Sequence, residues 1–210
     1  MKRTILTMAL LMPMMLSARE ATVTSPNGKL QVEINDHDGR ATYAVTLEGN
    51  RMVQPSTLGL KTDFADFTQG LTITSTKTTQ VDKSYTMRQV KQSQMHYVAT
   101  QLDVEMENAK HQKFTVQFSV SDNDVAFRYC IPRQKNDNPK CAFILEEATA
   151  FLLPEQTTTF ICPQIGPFTG WERTKPSYEE EYKADAPMNV KSKYGRGYTF
   201  PCLFHEGENG

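Results

Sequence analysis

Cysteine is absent from the first 129 residues of this 210-residue sequence, and only four follow: Cys130, Cys141, Cys162 and Cys202. No two form a C-x-x-C pair and their spacings are wide, which argues against the usual structural zinc modules. His37, His96, His111 and His205 are isolated, with no H-E-x-x-H or H-x-H pattern, so a two-histidine zinc site on one helix is excluded. A G-x-S-x-G elbow is missing, as is a cysteine–histidine protease signature. The glycine-rich dinucleotide and phosphate loops are missing too, and Gly195-Arg196-Gly197 reads as a turn. Nor does one sign of charge dominate, since 23 basic residues face 24 acidic ones, evenly scattered. That balance argues against a nucleic-acid partner and against an anionic membrane surface. After residue 16 no apolar run approaches the roughly 20 residues of a bilayer-spanning helix.

What is present begins with a short positive start, Met1-Lys2-Arg3, and an apolar stretch from Thr4 to Leu16. Ser17-Ala18 then supplies small residues before the polar Arg19-Glu20. This order predicts a secretory signal peptide over residues 1–18, with cleavage after Ala18 and export to the periplasm. The residue after the cleavage point is Arg19 and not a cysteine, so a lipid anchor on the new terminus is not expected. Taking 18 residues from 210 leaves 192, residues 19–210, and removes Lys2 and Arg3 but no acid. That length suits one domain with its own core.

The remaining sequence reads as strand after strand. Leu30, Val32 and Ile34 alternate with polar neighbours, as do Tyr43, Val45 and Leu47. Val98, Thr100, Leu102, Val104 and Met106 repeat the pattern, followed by Phe114, Val116, Phe118 and Val120, then Val125, Phe127, Tyr129 and Ile131. Period-two alternation places one face of each strand in a core and the other in water, as antiparallel sheets require. Pro26-Asn27-Gly28, Asp36 to Gly39, Glu48-Gly49-Asn50 and Asp122-Asn123-Asp124 supply turn residues between the runs. The threonine-rich stretch Thr72 to Thr79 predicts a long, partly exposed strand, and Tyr198 to Phe204 reads as a late one. Many short strands joined by such turns predict an all-β antiparallel sandwich or barrel. Cys130 and Cys141 flank a loop that a disulfide could close in an oxidising compartment, and four buried thiols are the alternative.

Residues 160–200 differ in character, with Trp171 (the single tryptophan) and the run Tyr178-Glu179-Glu180-Glu181-Tyr182. On a strand Glu179 and Glu181 point one way, and Tyr178, Glu180 and Tyr182 the other. Carboxylates of this kind could help hold calcium, although spacing alone reads as a solvated loop balanced by Lys175 and Lys183. Trp171, Tyr178 and Tyr182 could stack on a sugar ring, while a lone tryptophan is more commonly a core residue. The neighbours Glu146 and Glu147 face opposite ways on a strand and cannot cooperate as acid and base.

Several segments in order resemble the amino-terminal domain of glycoside hydrolase family 97, bacterial α-glucosidases and α-galactosidases exported by gut Bacteroidetes. They are Ser25-Pro26-Asn27-Gly28-Lys29-Leu30, Tyr43-Ala44-Val45 and Pro55-Ser56-Thr57-Leu58-Gly59-Leu60. Next come Asn123 to Tyr129 with Ile131-Pro132, and Glu146 to Phe151 with Leu153-Pro154. Trp171, Ser177-Tyr178-Glu179, Tyr182 and Thr199 to Phe204 complete the series. The resemblance implies a large antiparallel β-sandwich of the galactose-mutarotase-like type, packed on a (β/α)₈ barrel that carries the catalytic carboxylates. It also implies a calcium ion at the active site with Glu179 among its ligands, Trp171 and Tyr178 as candidate sugar contacts, and an α-linked oligosaccharide as substrate of the full enzyme. No catalytic residue is expected in this chain, which ends before such a barrel and at a hairpin signal, Asn209-Gly210, with no return strand. On this reading the chain is cut short, has an exposed edge and is inactive alone. The alternatives are a stand-alone carbohydrate-binding sandwich and an aldose epimerase, which would need a histidine–carboxylate pair.

Overall fold

A computed structural model describes residues 19–133, 142–165 and 182–207. One four-stranded antiparallel sheet contains β1 (Glu20–Thr24), β2 (Leu30–Asn35), β3 (Thr42–Leu47) and β4 (Asn50–Thr57), in that order. A second contains β6 (Thr72–Thr86), β7 (Gln94–Glu107), β8 (Lys113–Ser121) and β9 (Val125–Cys130), again in order. Between them in the chain, β5 (Leu60–Thr62) pairs with β10 (Ile144–Glu147). A smaller sheet at the carboxy-terminal end places β11 (Thr158–Phe160) between β12 (Ala186–Pro187) and β13 (Leu203–His205). The only described helical piece is one 3₁₀ turn, His37–Gly39.

Each large sheet is apolar on one face, and the two bury those faces against each other, with β1 against β7 and β2 against β8. Val23, Val32, Ile34, Tyr43 and Val45 from the first sheet share one core with Leu102, Val104, Met106, Phe114, Val116, Phe118 and Val120 from the second. Leu58, Leu60, Phe67 and Leu71 extend that core along the connecting chain. Strands in hairpin succession and a buried, alternating inner face make this the expected all-β sandwich.

The turns form where the polar punctuation stands. Glu48 (φ 49°) and Gly49 (φ 86°) make a two-residue connection between β3 and β4. In the Ser25–Leu30 turn the Asn27 side chain accepts from Lys29 N at 2.9 Å. Asn27 N in turn donates to Asp122 Oδ1 at 2.8 Å, tying a turn of one sheet to a turn of the other.

Two strand expectations need correction. Val98 does not join the core face: it is exposed, and the inward series of which it would be the first member is buried only from Thr100 onward. The first-sheet strands are at most 8 residues long, whereas β6 and β7 run 15 and 14, so the distal half of that hairpin outreaches the first sheet. The strand expected from Tyr198 to Phe204 is confined to Leu203–His205, with Phe200 89% exposed. Pro201 inside that stretch has no N–H to donate to a ladder. Cys130, Cys162 and Cys202 are free cysteines, and Cys141 lies outside the described residues.

Candidate functional site

The segments most specific in sequence meet in space, and what they build is a clasp. Residues 148–152 run along the end of β4 and the chain beyond it. Ala148 N donates to Gly59 O at 2.8 Å, Ala150 N to Thr57 O at 3.0 Å, and Gln54 N to Leu152 O at 2.7 Å. Thr57 Oγ1 donates to Ala148 O at 2.6 Å, and Leu152 N donates to Ser56 Oγ at 2.8 Å. Two tyrosines lock the strip from the core side. Tyr129 OH accepts from Gly59 N at 2.9 Å and bonds Thr149 Oγ1 at 2.7 Å, while Tyr43 OH donates to Ala150 O at 3.1 Å. Their rings join Phe118, Phe127 and Phe151 in a set of tilted and edge-on contacts. A tyrosine suits each place because it brings an apolar ring and one polar atom that finds a partner.

Burial pushes the Tyr43 phenol up to about 12, with the nearby Tyr129 as a lesser cause. Burial also raises Tyr129, against the lowering effect of its bonds with Thr149 and Gly59. The folded state therefore holds a proton that the unfolded chain releases near pH 10. The stability this provides is fully present below about pH 10 and is lost as pH rises toward 12. Tyr43→Phe is expected to cost about 1 kcal/mol at neutral pH, for the lost hydrogen bond, and to flatten the alkaline decline. Urea midpoints at pH 8, 10 and 11.5 measure both effects; parallel curves for the two proteins would refute the burial argument.

Trp171, Tyr178 and Glu179, the sugar- and calcium-site residues expected from sequence, lie outside the described residues. The ring of Tyr182 stacks on Phe160 of β11 with centroids 4.8 Å apart and planes 18° from parallel. Beside it opens a cleft of about 400 Å³ lined by Ile161, Tyr182, Lys183, Lys191, Lys193 and Tyr198. Tyr198 OH donates to Val190 O at 3.2 Å, and Lys193 Nζ sits 5.4 Å from the Tyr194 ring centre. Three ammonium groups and two tyrosines can bind hydroxyl-rich or anionic groups, and no described arrangement there can cleave a bond. Sequence reading missed the cleft because its walls come from two stretches apart in sequence, Thr159 to Pro163 and Tyr182 to Tyr198.

The histidines do not converge. His96 pairs with Asp82 at 2.7 Å on the exposed β6–β7 hairpin, His111 pairs with Glu107, and His205 lies 3.7 Å from Asp185. All three are surface pairs on separate elements, which gives no support to an epimerase centre. Glu146 and Glu147 sit on β10 opposite Lys61 and Leu60, both exposed. Among the described residues no three His, Cys, Asp or Glu side chains stand close enough to hold a metal. Calcium takes six to eight oxygens, so Glu179 would need partners from elsewhere.

The surface has one further unusual feature. Phe143, Ile144 and Leu145 are 58%, 66% and 63% exposed, although β10 is hydrogen-bonded into a sheet. Phe151, Leu152, Phe200 and Leu203 are exposed as well. Apolar side chains left in water in such number are unusual for a folded domain.

Comparison with known proteins agrees with this picture. The family model described as glycosyl-hydrolase 97 N-terminal matches residues 23–210. A probable retaining alpha-galactosidase of Streptomyces bingchenggensis (strain BCW-1) is 28% identical over 138 residues, 66% of this chain and 20% of its own. A crystal structure of a beta-arabinopyranosidase superposes with TM-score 0.84 at 46% identity, over 90% of this chain and 30% of that one. A glycoside hydrolase family 97 enzyme from Pseudoalteromonas sp. strain K8, solved with panose, has TM-score 0.63 at 22% identity, over 69% of this chain and 22% of that one. The chain thus spans less than a third of the length of each of these relatives. With the sandwich, the clasp and the match over residues 23–210 together, the chain belongs to the family of glycoside hydrolase 97 amino-terminal domains.

Proposed function

We propose that this chain is the non-catalytic amino-terminal domain of an exported glycosidase, packed on a catalytic barrel and lending one face to the substrate site. The observation that carries this reading is the exposed β10 strand, whose Ile144 and Leu145 stand in water on a domain that otherwise has a complete core. The relatives that share the domain are several times longer, which fits a barrel as the covering partner. In the full enzyme, Ile144→Asp combined with Leu145→Asp is expected to lower turnover at least about tenfold and to separate the melting of the two domains. Unchanged activity with a single melting transition would sink the proposal.

Calcium is proposed as the cofactor, with Glu179 as this domain's ligand and the remaining oxygens from the barrel. A bound calcium ion would polarise and orient a sugar hydroxyl or glycosidic oxygen. Glu179→Gln is then expected to raise the calcium concentration for half-maximal activity at least about tenfold, the scale seen when metal sites lose a supporting group. Equal calcium titrations of the two proteins would remove Glu179 from the site. Trp171 and Tyr178 are proposed to flank the sugar.

The substrate proposed is an α-linked galactoside or the corresponding β-L-arabinopyranoside. Those two rings share hydroxyl stereochemistry and differ by one hydroxymethyl group, and the two relatives named for them include the one at 46% identity. Rates of the full enzyme on aryl α-galactoside, β-L-arabinopyranoside and α-glucoside would decide among them. Export to the periplasm through residues 1–18 is part of the same proposal. A stand-alone sugar-binding role is the second reading, favoured by the Tyr182–Lys193 cleft.

A further inference from the structure

Asp36 is a buried carboxylate, 6% exposed, at the end of β2. Both of its oxygens face main-chain nitrogens: Oδ1 accepts from Arg19 N at 2.6 Å and Oδ2 from Ile73 N at 2.8 Å. Asp36 N donates back to Arg19 O at 3.3 Å, and the Arg19 guanidinium donates through Nη1 to Ile73 O at 2.6 Å rather than to the carboxylate. Among the described residues no lysine, arginine or histidine forms an ion pair with Asp36. A buried negative charge without a cation is costly. Arg19 is also the residue that becomes the first of the chain if the signal segment is removed after Ala18.

We infer that signal-peptide removal completes this site: the new α-ammonium of Arg19 is the cation for Asp36, and the mature fold is stabilised by its own processing. The inference rests on the export reading above. A signal peptidase adds one water across the Ala18–Arg19 bond, leaving a carboxylate on Ala18 and an amine on Arg19 that is protonated at neutral pH. The nitrogen that donates at 2.6 Å as an amide then donates with a full positive charge, and charge-assisted bonds are the stronger kind. Cleavage one residue earlier or later would not place an ammonium there. The pair also fastens the start of β1 to the start of β6 through Ile73, so it links the edges of both large sheets.

The test begins with the amino-terminal sequence of the protein recovered from the periplasm, which is expected to start at Arg19. Any other start overturns the cleavage reading and the pairing it would create in the cell. Separately, the full protein released by a specific protease at Arg19 is compared with its amino-acetylated form and with a form retaining Ser17-Ala18. Both changes keep an N–H donor on Arg19 and take the positive charge off its nitrogen. The free form is expected to melt roughly 4 °C higher, and the difference is expected to vanish in Asp36→Asn, which keeps an acceptor oxygen. Equal melting of the free and acetylated wild-type chains overturns the ion pair even where cleavage is as stated. A difference that persists unchanged in Asp36→Asn also overturns it. Should Asp36→Asn fail to fold, the wild-type pair decides alone.

Discussion

Gly59→Ala is expected to abolish folding at physiological temperature, or to leave a protein with a melting point lowered by well over 10 °C. Gly59 holds φ at +139°, a conformation in which an L side chain is strained by about 1–3 kcal/mol. A Cβ at this position would sit 2.4 Å from Phe67 O and 3.2 Å from Thr68 Cα, both main-chain atoms with no flexible end to yield. Moving either side to make room breaks bonds that define the clasp. Gly59 N donates to Tyr129 OH and Gly59 O accepts from Ala148 N, while Phe67 N donates to Leu60 O at 2.9 Å. Strain, clash and two or three lost hydrogen bonds together exceed about 4 kcal/mol, a large share of the ~5–15 kcal/mol that holds a domain folded. Soluble yield and urea unfolding of the variant measure this directly. A Gly59→Ala protein with wild-type stability would show that the chain tolerates a different path here. Gly49→Ala is the control, since nothing lies within 4 Å of its Cβ position and only the φ term remains.

Phe118→Ala is the second large effect, expected to cost about 3–5 kcal/mol. Phe118 is fully buried in β8, between Leu102 of β7 and Phe127 of β9 in the ladder. Its ring lies 6.0 Å from that of Tyr43 and 5.5 Å from that of Phe127, so it bridges the two sheets rather than packing within one. Truncation leaves a cavity that strands on both sides cannot close, because their spacing is set by hydrogen bonds and by each other's side chains. At the usual conversion for a chain of this size the melting point falls by roughly 10 °C. Phe118→Leu should recover most of that loss. A loss below about 1 kcal/mol for the alanine variant would place the centre of the core elsewhere.

Which residues point inward was largely legible in the sequence. A strand offers two faces and successive side chains alternate between them, so Phe114, Val116, Phe118 and Val120 could face one core together, as they do. The turns were legible for a similar local reason: Glu48-Gly49 adopts positive φ at both positions, and few residue types accept that. Val98 was misread because periodicity reports that a strand has an apolar side and says nothing of where its covering sheet ends. Gly59 carried no signal, since the close approach of Phe67 O is made by chain eight residues away folding back. The clasp was equally silent about its purpose. Thr149 and Ala150 meet Tyr129 and Tyr43 across 20 and 107 residues, distances no window of sequence joins.

The sequence by itself therefore determined the class of the protein: alternation, turn chemistry and the absence of helical spacing leave an antiparallel sandwich, and the ordered segments identify its family. These are local properties, settled by φ/ψ preferences and by the two-residue repeat of a strand. The tertiary structure alone decided what the segments do. It assigned Asn123–Tyr129 and Glu146–Phe151 to holding the sandwich shut, left Ile144 and Leu145 uncovered on β10, and set the Asp36 carboxylate against the nitrogen of Arg19. Those outcomes depend on long-range contacts between chain segments that carry no record of one another until the core forms, because burial and hydrogen-bond partners are properties of the packed molecule.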